Sequence, residues 1–202
     1  MTVDFDLGPA AGRMAGLLEA VTDEQLTAPT PCEQYRLGDL IEHVGGLALA
    51  FTAAAGKTDL PQGGHEGPSG DAARLAEDWR TLIPARLAAL AEAWREAAAW
   101  EGMTRAGGVE LPGNVAARVA LNELVVHGWD VARSSGQPYV CGERELRTCL
   151  EFVAGFAPDP EERPAGLFAP AVAVPADAPL LDRVVGLTGR DPAWRGTYPS
   201  RP

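Results

Sequence analysis

Basic residues, histidines and cysteines are all sparse in this chain. There are 17 Lys and Arg against 28 Asp and Glu, for a formal net charge of -11, and no stretch is dense in basic side chains. Displacing phosphate counterions needs such a stripe, so nucleic acid and an anionic membrane surface are excluded as expected partners. The acidity is expected to serve solubility rather than steering. No uninterrupted apolar run approaches the roughly 18 residues of a membrane span. The opening Met1-Thr-Val-Asp-Phe-Asp6 is acidic where a targeting signal begins basic. Cys32, Cys141 and Cys149 are odd in number and lack C-x-x-C spacing, which suits buried thiols in a reducing, cytoplasmic setting.

What remains is ordinary globular composition, 46% apolar and 22% charged over 202 residues. A chain of this length buries roughly 70% of its unfolded surface and needs no structural metal, so a metal bound here is expected to be functional. Apolar periodicity predicts helices over about Leu7–Ala20, Leu37–Ala55, Asp71–Trp100 (with Pro84 as a kink), Asn114–Ser134 and Glu143–Phe156. Thr22 with Gln25 reads as a capped turn, Asn114 as a cap and Gly136 as a helix terminator. The segments 56–70 and 102–114 read as loops, the first long enough for a crossover or lid. Gly45 and Gly46 cost the second helix about 1 kcal/mol each, which favours close approach of another backbone over a kink. Beyond Pro158 the chain is rich in Pro and Gly, with one last helical piece near Leu180–Leu187. With no convincing sheet, the expected class is all-α: a four-helix bundle over residues 1–157 and a short helical and irregular extension over 158–202.

Glu123 and His127 are four apart on the fourth helix, so they project from one face about one turn from each other. One helix can thereby offer a carboxylate oxygen and an imidazole nitrogen to a single ion, and His43, on the inward face of the second helix, can supply a third ligand. The pair alone is not diagnostic. With 28 acidic residues in 202, a carboxylate falls four before one of three histidines with a chance of about 0.4. A helix-stabilising Glu–His contact and a hydrogen-bonded core histidine remain open alternatives. The setting of Glu123 among Leu121, Leu124, Val125 and Val126 favours an ion, because a buried carboxylate needs a partner charge or a proton.

Two motifs carry a resemblance. Thr30-Pro-Cys-Glu-Gln-Tyr-Arg-Leu-Gly-Asp-Leu-Ile-Glu-His-Val-Gly-Gly46 and Glu123-Leu-Val-Val-His-Gly-Trp-Asp-Val-Ala-Arg133 resemble the two histidine motifs of the mycothiol-dependent maleylpyruvate isomerase N-terminal domain group, within the DinB-like bundles. The ending Val174-Pro-Ala-Asp-Ala-Pro-Leu-Leu-Asp-Arg-Val-Val-Gly-Leu-Thr-Gly-Arg-Asp-Pro192 is similar to that of its small actinobacterial metal-binding branch. The resemblance implies a DinB-like four-helix bundle with His43, Glu123 and His127 as metal ligands. It implies zinc as the usual ion, nickel or another transition metal being alternatives. It also implies a mycothiol-like thiol as cosubstrate, activated as a nucleophile toward a small electrophile. The implied activity is a metal-dependent thiol transferase of a monomer or homodimer; a non-catalytic metal-binding sensor or interaction module is the alternative.

Two departures qualify this. Tyr35-Arg36-Leu37 replaces the family's threonine cap, which leaves the start of the second helix less well fixed. The isomerases also carry a further α/β domain that contributes to catalysis; the chain is expected to lack it, so isomerase activity is not carried over. Among other residues, Asp130 is expected either to orient His127 or to pair with Arg133. Trp129 is expected in the core and Cys32 as a small buried hydrophobe. His65 is expected as a solvated loop residue, and Arg183 and Arg190 are available to an anionic substrate.

Overall fold

The computed structural model describes residues 5–59, 69–155 and 169–196. Its elements are α1 (Gly8–Glu19), a 3-10 turn (Asp23–Thr27), α2 (Leu37–Gly56), a second 3-10 turn (Ala72–Arg74), α3 (Trp79–Ala93), α4 (Ala97–Trp100), β1 (Met103–Ala106), β2 (Val109–Pro112), α5 (Gly113–Ser135), α6 (Glu143–Ala154) and α7 (Leu180–Leu187). Helices α1, α3, α2 and α5 pack in a ring, each against two neighbours, and enclose the core. The protein is thus an all-α, DinB-like four-helix bundle, with α6 laid on α5 and α7 on α6.

The core follows the helical period. Leu37, Leu40, Ile41, Val44, Ala48 and Phe51 of α2 meet Leu7, Met14 and Leu18 of the first segment and Ile83, Leu87 and Leu90 of α3, all buried. Burying each of the larger side chains is worth about 1.5–3 kcal/mol. On α5 the inward positions Ala116, Ala117 and Ala120 are fully buried alanines, so neighbouring helices approach closely. Gly45 serves the same end: a Cβ there would stand 3.2 Å from Ile83, so α2 runs unbroken and close to α3. By length and composition α2 would suffice to cross a membrane, with a mean hydropathy of 1.2, but 56% of that window is buried inside the bundle.

The helix expected over Asp71–Trp100 is three pieces, and the reason is side-chain competition for backbone donors. Asp39 accepts from Ala72 N–H at 2.7 Å, Glu42 from Asp71 N–H at 3.1 Å and Asp71 from Ala73 N–H at 2.9 Å, which pins this stretch to the first turns of α2. The regular helix then starts at Trp79, contains Pro84, and ends before Trp94, whose indole N–H donates to Phe51 O at 3.0 Å. The stretch expected as a loop over 102–114 holds a hairpin, with Met103 opposite Pro112 and Ala106 opposite Val109. Gly107 and Gly108, at φ 58° and 80°, make the two-residue turn that only positive φ allows. Helix α5 begins at Gly113 with no side-chain cap, so Asn114 does not cap it, and Gly136 ends it at φ 72° as expected. The start of α2 is fixed without threonine: Asp39 Oδ2 accepts Arg36 N–H at 3.0 Å.

Candidate metal centre

Three ligand-type side chains converge between α2 and α5. Glu123 and His127 leave the same face of α5, and His127 Nε2 lies 3.0 Å from Glu123 Oε2. His43, from the facing turn of α2, brings its Nε2 to 4.0 Å from the same oxygen. The two imidazole rings stand edge to face, 5.1 Å apart at 89°. One ligand atom from each of the three lies within 4.8 Å of the others, the one such group among the described residues. The side chains of His127, His43 and Glu123 are 8%, 12% and 20% exposed, so the cluster is largely shielded from solvent.

Both histidines are held from behind. Asp130, fully buried one turn after His127, takes the Nδ1–H of His127 at 3.0 Å. A carboxylate only accepts, so Nδ1 carries the proton and Nε2 is the atom turned toward Glu123. The Tyr35 ring lies against His43, with centroids 5.1 Å apart and planes tilted by 36°. The Tyr35 hydroxyl accepts from Gly70 N–H at 3.2 Å, which ties the chain after residue 68 to this wall.

The electrostatics are those of a site that wants positive charge. Burial pulls the His127 imidazolium down, but hydrogen bonds and charge from Asp130 and Glu123 outweigh it, and its pKa is raised to about 9. Burial pushes Glu123 up, yet the His127 contact, with His43 and Arg190, holds its carboxyl below the ordinary range. Asp130 is likewise lowered, burial being outweighed by Arg190 first and by His127. Two ionised carboxylates around one imidazole attract either a proton or a cation.

Arg190 reaches the back of this cluster from the far end of the chain. Expected to be open to an anionic substrate, it is 9% exposed and committed: Nη2 to Asp130 Oδ2 at 3.0 Å, Nε to Oδ1 at 3.4 Å and Nη1 to Thr188 O at 2.8 Å. The alternative partner for Asp130, Arg133, instead lies over the Trp129 ring at 5.3 Å. No local signal could have paired Asp130 with a residue sixty positions away. Trp129 is core, 1% exposed. Cys32 is partly buried and its thiol pKa is pushed up, first by burial and then by Asp130 and Glu123 against Arg190. His65 lies outside the described residues.

Comparison with known proteins agrees with this architecture. Residues 7–132 match the model of the mycothiol maleylpyruvate isomerase N-terminal domain, a span that contains His43, Glu123, His127 and Asp130 but not Arg190. Two uncharacterized proteins of Mycobacterium tuberculosis strains, Rv0738 and MT0763, are each 31% identical over 191 residues, covering 90% of this chain and 93% of the relative. The crystal structures of the mycothiol-dependent maleylpyruvate isomerase and of a histidine-to-alanine mutant superpose with TM-scores of 0.52 at 18% and 16% identity, over 75% of this chain and 68% of theirs. At that identity the superposition speaks for the fold, while the motif-bearing span speaks for descent. The chain belongs to the mycothiol maleylpyruvate isomerase N-terminal domain family.

Proposed function

We propose that this protein binds one divalent transition metal, zinc by preference, through His43, Glu123 and His127, and uses it as a low-molecular-weight-thiol transferase. The supporting observation is the convergence of two imidazole nitrogens and one carboxylate oxygen within 4.8 Å from two different helices. The donor set fits the ion. Ligands about 2.0–2.1 Å from a tetrahedral zinc stand roughly 3.3 Å apart, and the 3.0 and 4.0 Å separations bracket that value. Two nitrogens and one oxygen are also the borderline set that suits zinc over magnesium or calcium.

His43, Glu123 and His127 would hold the ion, which would supply Lewis acidity to lower the pKa of a nearby thiol. The chain's own residues do the rest. Asp130 keeps His127 in one tautomer and one orientation, and Tyr35 and the apolar flanks of Glu123 restrict water. The reaction is then formation of a sulfur–carbon bond between a mycothiol-type thiol and a small electrophile: the S–H bond breaks, and either the electrophile's leaving group departs with its electron pair and takes the proton, or its π bond opens and the neighbouring carbon takes the proton. Maleylpyruvate isomerisation stays with the protein that bears that name. We further propose that residues 1–157 are the metal-binding unit and 158–202 an extension on it, supported by the packing of α7 on α6 and by the Arg190–Asp130 pair. Three free thiols support a reducing, cytoplasmic location.

Metal analysis of protein purified from metal-replete medium tests the reading. About one zinc per chain is expected, lost on His43→Ala, Glu123→Gln or His127→Ala. Protein that stays metal-free under those conditions refutes it. If metal is bound, the absence of any thiol binding or thiol-dependent turnover across a panel of thiols and electrophiles leaves a metal-binding module instead.

A further inference from the structure

We infer that Arg190 is a positioning residue of this centre: acting through Asp130, it holds His127 in its ligating orientation and so couples metal affinity to docking of the C-terminal segment. The inference rests on the metal reading above.

A metal-ligating histidine commonly donates its second ring N–H to a carboxylate, and the carboxylate must itself be held. Here the holding is done from outside the bundle helices. Asp130 is 0% exposed, a place where an uncompensated carboxylate is costly. Its two oxygens face the Nε and Nη2 of Arg190 at 3.4 and 3.0 Å, and the oxygen that takes Nη2 also takes His127 Nδ1–H at 3.0 Å. A two-point fork of this kind fixes the carboxylate plane, which a single contact from His127 leaves free to rotate.

The guanidinium is itself fixed. Arg190 follows α7, its N–H donates to Val185 O at 2.9 Å, and Nη1 donates to Thr188 O at 2.8 Å. Gly189 makes the turn at φ 86°, and a Cβ there would stand 2.5 Å from that of Ala169. Val172 N–H donates to Gly186 O at 2.9 Å, so the chain entering this segment is stitched to α7 as well. Segment 169–196 therefore reaches the back of the metal site by one charged contact at the end of a well-fixed turn.

The test measures zinc affinity by competition with a chromophoric chelator, and the visible spectrum of the cobalt(II)-substituted protein, for wild type, Arg190→Met and Arg190→Lys. Removing a partner behind a ligand typically lowers metal affinity about 10–100-fold. Arg190→Met is expected to show that loss with altered cobalt bands, and Arg190→Lys to recover part of it, since a lysine restores charge but not the fork. Gly186→Ala, whose new Cβ would stand 2.4 Å from Val174, loosens the segment without touching Asp130; because the coupling runs through docking of that segment, it is expected to weaken zinc binding in the same direction as Arg190→Met. Should Arg190→Met fail to fold, Asp130→Asn with Arg190→Met removes both charges and must show the same loss of affinity. A folded Arg190→Met or double variant with wild-type affinity and spectrum overturns the inference alone. Wild-type protein that takes up neither zinc nor cobalt overturns the metal reading and this inference with it.

Discussion

Replacing Asp130 by asparagine keeps the shape of a fully buried side chain and removes its charge. Arg190, 9% exposed, is then a buried cation facing an amide, with Thr188 O as its backbone acceptor. Breaking a buried ion pair by removing one partner costs about 3–5 kcal/mol, because the orphaned charge has neither water nor counter-ion. For a chain of 202 residues this lowers Tm by roughly 10 °C. Arg190→Met leaves Asp130 orphaned, save for His127, and is expected to cost a similar amount. The double variant removes both charges and is expected to lose much less than the sum of the singles, since the two side chains share one interaction. Urea unfolding of the metal-free protein, with chelator present throughout, measures all four corners of the cycle free of any contribution from bound ion. Single variants that each cost less than about 1 kcal/mol and add without coupling would refute the reasoning. They would mean that the pair is solvated in the way of a surface salt bridge, and that segment 169–196 does not seal Asp130 from water.

Gly189→Ala forces a side chain into a left-handed position at φ 86° and against Ala169, and is expected to cost about 1–3 kcal/mol in the same unfolding assay. An unchanged midpoint would show that the turn carries no such constraint. The three thiols provide a pH test. Burial first, and Glu145 second, push the Cys141 thiol up to about 12, and burial raises Cys149 and Cys32 as well. A raised thiol pKa lowers the thiolate fraction at every pH below it, so labelling of native protein by a disulfide reagent at pH 8 is expected to be far slower than in denaturant. Reaction of all three at the rate of a free cysteine would contradict this packing.

The bundle helices were readable because apolar residues recur at the helical period over many turns, as at Leu40, Leu47 and Ala50, and because Gly136 is a strong terminator. The hairpin is not legible in the sequence, although Gly107-Gly108 marks its turn, since four-residue strands carry too little alternation to stand out from a loop. The false start of a helix at Asp71 arose because nothing in the local sequence shows that Asp39 and Glu42 claim the backbone donors of residues 71 and 72.

The candidate centre divides in the same way. Spacing alone put Glu123 and His127 on one face of one helix, because the α-helical repeat is a property of local backbone geometry. The inward side of His43 followed from its apolar neighbours for the same reason. That α2 packs beside α5 at a height that brings His43 Nε2 within 4.0 Å of Glu123 is a fact of helix packing, which depends on buried side chains such as Val44, Ala48 and Ala120 from different parts of the chain. The choice of Arg190 over Arg133 as the partner of Asp130 is more distant still. Burial sets the worth of that ion pair, and burial exists only once the C-terminal segment has folded back over the bundle.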